Sequence, residues 1–120
     1  MRNDKDNIIV KITTEFALMM IAYCDELEER RKFVIARQLL RSATSIAANV
    51  REAQNAESTD DFIHKFKIAA KESDETDLWL YLCQFAPSYP NPEAFHFSKL
   101  GDIQRVISKI VSSTKRKRRT

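Results

Sequence analysis

The chain has 120 residues and a net charge of +3, from 20 Lys and Arg against 17 Asp and Glu. That length sets one domain with a single core. One glycine and three prolines leave few places for tight turns and exclude a glycine-rich phosphate loop, while Ala, Leu, Ile, Lys, Arg and Glu supply a helix-forming composition.

The first helix is predicted from about Asp6 to Glu29. Ile8, Ile12, Phe16, Met19, Tyr23 and Leu27 recur at spacings of three and four, which stacks them on one face. Val10, Ala17, Ile21 and Cys24 lie on the other side of the same wheel, so the helix carries more apolar surface than one bundle face needs. Arg30, Arg31 and Lys32 close it with charges that suit the negative end of the helix dipole.

A second helix is predicted from Phe33 to Asn55, with Ile35, Leu39, Ile46, Val50 and Ala53 facing the core. At 100° per residue, Gln38, Ser42, Ser45 and Asn49 fall in one small, polar stripe on the flank of that line. Arg37, Arg41 and Arg51 fall on the opposite side, with Thr44 and Ala48.

Ser58 followed by Asp61 approximates a capping box and opens the third helix, which runs to Phe85 before Ala86-Pro87. Phe62, Phe66, Ala69, Ser73, Thr76 and Leu80 form its inner line. Residues 78–85, LWLYLCQF, are apolar nearly all the way round, which a subunit interface would explain. With the third helix antiparallel to the second, Asn49 is expected opposite residues 63–66, and Ser42 and Ser45 opposite Ala69 to Ser73. Ser73 and Thr76 thus complete a seam in which small side chains face small ones and backbones approach closely.

Asn91 as cap and Pro92 in the first turn introduce a fourth helix, with Leu100, Ile103, Ile107 and Ile110 inward to about Val111. The expected fold is all-α, an antiparallel up-down-up-down four-helix bundle over residues 1–112. Residues 113–120 form a basic tail expected to be disordered. Removing the five charges of Lys115 to Arg119 leaves 3 − 5 = −2 for the rest of the chain.

Candidates for chemistry are few. Asp61-x-x-His64 and Glu93-x-x-His96 mimic the acid and imidazole spacing of metal-binding bundles. Both units sit at the starts of antiparallel neighbours, about 40 Å apart at 1.5 Å per residue. Glu72, Asp74, Glu75 and Asp77 read as a solvated face with Lys67 and Lys71. No catalytic residue, metal or cofactor is expected, and the chain reads as a non-enzyme.

Cys24 and Cys83 lack metal-site spacing and read as packed, reduced thiols. The N-terminus is polar and no apolar run approaches the roughly 20 residues of a membrane span. A cytoplasmic protein without membrane contact is expected. The candidate binding residues are Arg37, Arg41 and Arg51 with Lys115, Arg116, Lys117, Arg118 and Arg119, cations that would neutralise phosphates without reading sequence.

Many positions of residues 37–82 stand in the fixed register of a known family. They include Gln38, Arg41-Ser42, Thr44-Ser45, Ala48-Asn49, Arg51-Glu52-Ala53, Lys65, Ala69, Lys71-Glu72, Glu75-Thr76 and Trp79-Leu80. The segment resembles the bacterial four-helix bundle proteins encoded in intervening sequences of 23S ribosomal RNA genes. The resemblance implies a homopentamer around a central channel and no catalytic residues. It also implies, through related accessory proteins of diversity-generating retroelements, binding of RNA or DNA and of a protein such as a reverse transcriptase. The expected function is therefore nucleic-acid binding, to RNA foremost, by a homo-oligomer. The alternative is a structural adaptor that recruits a protein partner.

Overall fold

The computed structural model describes residues 7–119, arranged as helices α1 (Ile8–Glu29), α2 (Phe33–Gln54), α3 (Thr59–Phe85) and α4 (Ala94–Arg119). Each helix packs on its neighbours in the chain, α4 closes back on α1, and α1 and α3 lie on the diagonal. The result is an all-α four-helix bundle with principal extents of 53 × 22 × 21 Å. Phe16, Met20, Leu27, Leu39, Ile46, Val50, Phe66, Leu80, Leu100 and Ile103 fill its centre, none more than 1% exposed.

The helix ends follow from local chemistry. Asn7 caps α1 by accepting from the Val10 amide, and its amide group donates to Gln54 at 2.8 Å. The expected start at Asp6 lies outside the described residues. At the other end Lys32 donates its N–H to the Leu27 carbonyl at 2.9 Å while Arg31 takes a left-handed φ of 63°. That is the geometry of a Schellman turn built without glycine. Ser58 accepts from the Asp61 amide and caps α3 as the sequence predicts.

Three expectations are corrected. α4 begins at Ala94, beyond the Asn91-Pro92 pair. The ring nitrogen Nδ1 of His96 accepts from the Glu93 amide at 3.0 Å, so an imidazole supplies the start signal assigned to Asn91. Next, α4 continues through the segment expected to be a disordered tail, as far as Arg119, with Thr120 outside the described residues. Apolar periodicity stops near Val111, but nothing there breaks a helix, and Lys and Arg are good helix formers that favour the negative dipole end. A boundary at residue 112 therefore falls inside a helix. Finally, Ile8, assigned to the inner face of α1, is 55% exposed, because the core-facing stripe starts at Ile9.

The polar seam between α2 and α3 is real but narrower than the sequence suggests. Ser42 is fully buried against Thr76, their hydroxyls 2.8 Å apart. Each hydroxyl also has a carbonyl of its own helix in reach, Glu72 at 2.8 Å from Thr76 and Leu39 at 3.2 Å from Ser42, so either one can donate across the seam. Ser73 is buried and turned to its own helix, bonding the Ala70 carbonyl. Asn49 is half-buried and bonds the Ser45 carbonyl, Ser45 is half-buried, and Gln38 is exposed and outside the seam. Ser42 meets Thr76 rather than Ala69 to Ser73, about one turn beyond the expected register. The Lys65–Glu52 ion pair at 2.9 Å fits the same offset, and the connection at residues 55–58 carries the chain past the end of α2 before α3 begins.

The loop before α4 is pinned from inside the bundle. The Tyr23 hydroxyl donates to the Pro90 carbonyl at 2.6 Å, and its ring lies 5.3 Å from that of His96. His96 is 5% exposed, and burial holds its pKa below the ordinary value of 6.5 despite the opposing charge of Glu93. Only the neutral ring can accept from the Glu93 amide.

Two outcomes are expected. Ser42→Ala should cost about 1 kcal/mol for the lost bond, whereas Ser42→Leu should cost about 2–3 kcal/mol by overpacking the seam, both read by urea unfolding. Because His96 binds its proton less readily folded than unfolded, its stabilisation is complete above about pH 6.5 and is lost as pH falls toward the folded value. Melting temperatures from pH 7.5 to 5.5 should therefore fall, and His96→Asn, which keeps an acceptor near Nδ1, should show a flatter profile over that range.

Candidate nucleic-acid interface

Of the predicted arginines on α2, Arg37 and Arg51 are exposed and form no ion pair among the described residues. Arg41 is different. Its guanidinium pairs with Glu72 at 3.2 Å and also with Glu75, both on α3. Glu75 in turn accepts from the Trp79 indole N–H at 3.1 Å. The Trp79 and Arg41 contacts together hold the Glu75 carboxyl below the usual carboxylate range, and the two glutamates raise the Arg41 pKa. Arg41 thus cross-links two helices through both terminal nitrogens of its guanidinium.

The basic segment is also partly committed. Arg118 pairs with Asp60 at the start of α3, and Lys115 and Lys117 have interactions of their own. Arg116 is exposed with no ion pair among the described residues, and the side chain of Arg119 lies outside them. The helix places these cations in its last two turns. From Ile103 to Thr120 the sequence holds seven cations, Arg105, Lys109, Lys115, Arg116, Lys117, Arg118 and Arg119, and no acid. Sequence reading stopped at the KRKRR block and missed Lys109. It lies seven residues before Arg116, and that spacing puts the two on one face of a helix.

Two apolar stripes also reach the surface. On α3, Leu78, Tyr81, Leu82 and Phe85 follow the spacing i, i+3, i+4, i+7, and each is between 42% and 66% exposed. On α1, Leu18 and Ile21 are 62% and 42% exposed beside half-buried Ala17. Since α1 and α3 are diagonal, the stripes face opposite ways.

Nothing among the described residues assembles three or more His, Cys, Asp or Glu side chains where a metal ion could bind. His64 is exposed on α3 and His96 is buried at the start of α4. Cys24 and Cys83 are buried and free, and burial raises both thiols, Cys24 to about 12. Such thiols do not ionise near neutrality and are poor nucleophiles. No described helix is long and apolar enough to cross a membrane.

Residues 5–111 match the model of the 23S rRNA-intervening sequence protein family. A solved structure with the same fold is that of a protein of unknown function from the S23 ribosomal protein family of Bacteroides thetaiotaomicron. It is 33% identical, with 86% of this chain and 97% of that chain covered and a TM-score of 0.78. No curated protein matches.

Arg41→Gln should lower stability by about 0.5–1 kcal/mol, the worth of a half-exposed ion-pair network, in thermal unfolding. Its affinity for a polynucleotide should stay within twofold of the native chain.

Proposed function

The chain belongs to the 23S rRNA-intervening sequence protein family, and from that membership we propose that it is a non-enzymatic homopentamer that binds nucleic acid, RNA foremost. The observation that carries this reading is the run from residue 103 to 120, helical to Arg119, with seven cations and no acid. A rigid helix end presents cations in a fixed row and loses less entropy on binding than a loose tail would. Arg51, in the last turn of α2, and Arg37 add exposed charge.

Assembly supports the same reading. Two unlike apolar stripes on opposite sides of one bundle favour head-to-tail contacts, which close into a ring when the rotation per copy allows. The α3 stripe of one copy would then cover the α1 stripe of the next. Five basic helix ends held together raise the local potential and make binding multivalent.

A second reading has one observation in its favour. The exposed stripe on α3 could take a different protein, a reverse transcriptase among the candidates, with the basic end serving only solubility. Phe33 and Val34, exposed at the start of α2, extend the apolar surface available at that end of the bundle.

Native mass spectrometry should give a five-copy assembly, and Leu82→Asp with Phe85→Asp should break it into smaller species while helicity is retained. Filter binding to a structured RNA should be tight at low salt and weaken steeply as salt rises. A monomer at micromolar concentration would sink the assembly, and undetectable binding at low ionic strength would sink the nucleic-acid role. Deletion of residues 115–119 separates the readings, because it should abolish RNA retention but leave an adaptor's partner recovery unchanged.

A further inference from the structure

The outer face of α4 holds a feature that the basic block at the C-terminus does not account for. Lys109 and Arg116 are exposed, stand two turns apart on one face, and form no ion pair among the described residues. Between them lie Ser112 and Ser113, whose hydroxyls make no hydrogen bond there. The small serines leave a shallow depression of about 540 Å³ along the helix, lined by Ser108, Lys109, Ser112, Ser113, Arg116 and Lys117 among others. Several cations elsewhere are taken up by acids, while Arg37 and Arg51 on α2 are also exposed without an ion pair among the described residues. Arg105 pairs with Asp102, Lys99 with Glu15, Lys65 with Glu52 and Arg41 with Glu72 and Glu75.

We propose that this saddle, Lys109–Ser112–Ser113–Arg116, is the seat of a polynucleotide's sugar-phosphate backbone, an assignment that rests on the nucleic-acid reading above. Seven residues at 1.5 Å each put the two cations about 10 Å apart along α4. Two flexible cationic side chains at that separation can each reach a phosphate of the same strand. Lys109 and Arg116 take one phosphate each, and the serine hydroxyls donate to backbone oxygens between them. Small side chains at the middle let the strand approach the helix closely, where Leu or Glu would hold it off. The ligand is recognised by charge and spacing rather than by bases, so the site is blind to sequence.

The test uses the full chain, a 30-nucleotide RNA hairpin and a DNA hairpin of the same sequence, with affinity measured by filter binding across a salt series. Lys109→Gln with Arg116→Gln should lower the slope of log affinity against log salt by about 1.4–1.8, two phosphates at roughly 0.7–0.9 each. Lys67→Gln with Lys71→Gln, on exposed positions of α3, removes the same charge and should leave the slope within about 0.3 of native. Ser112→Glu keeps both cations and should weaken binding at least tenfold. If the native chain binds neither hairpin, the nucleic-acid reading itself falls. If the native chain binds and the Lys109/Arg116 variant keeps its slope, or loses no more than the Lys67/Lys71 variant, the saddle alone is overturned. Equal effects on both hairpins fit backbone contact, while loss confined to one polymer contradicts it. Circular dichroism on each variant establishes that helicity is kept.

Discussion

The contact between Ser42 and Thr76 is the constraint from which much of this surface follows. Two hydroxyls 2.8 Å apart in a seam that excludes water fix both the separation and the register of α2 and α3, because a buried polar group left alone costs more than its bond returns. A slip of one turn would part the two hydroxyls and leave each with only a carbonyl of its own helix, Leu39 for Ser42 and Glu72 for Thr76. With the register set, Arg41 comes to rest over Glu72 and Glu75. The same setting turns the opposite side of α3 outward, and that side carries Leu78, Tyr81, Leu82 and Phe85.

Periodicity made the helices legible, since apolar spacing and end signals are local properties. α2 and α3 begin and end within a residue of where the pattern places them. What the sequence did not reveal was set across helices. The register of the seam depends on how far the chain travels between Gln54 and Thr59 before it reverses, which no residue type encodes. The fate of Arg41 depends on acids about thirty positions away, so a face that reads as basic on a helical wheel is partly neutralised in the bundle.

The ends of α4 teach a related lesson about end signals. Asn91-Pro92 has the right residue types for a helix start, yet the chain uses Glu93 and His96. Tyr23 holds the Pro90 carbonyl at 2.6 Å, and the residue after a fixed proline must still turn before helical geometry is reached. The local Glu93–His96 bond opens the helix, and the bond from α1 holds the loop that leads into it. At the other end, the loss of apolar residues after Val111 removes packing, not helicity. A helix already nucleated propagates cheaply through Lys and Arg, and the Arg118–Asp60 pair ties its last turn to α3.

Charge on this molecule is sorted by what lies opposite it. Cations along the helix contacts meet acids and serve the fold, as Lys65, Lys99 and Arg41 do. Past Asp102, α4 has no acid of its own, so neutralisation there must come from another helix or from outside the chain. Asp60 reaches Arg118, but Lys109 and Arg116 lie along the outward side and find no acid among the described residues. Net charge therefore understates the local field: at +3 the whole chain is nearly balanced, whereas the field beside the outward side of α4 is set by the cations that stand there without an acid. Counting cations picks out the KRKRR block, but removing the paired ones moves attention one to two turns back along α4.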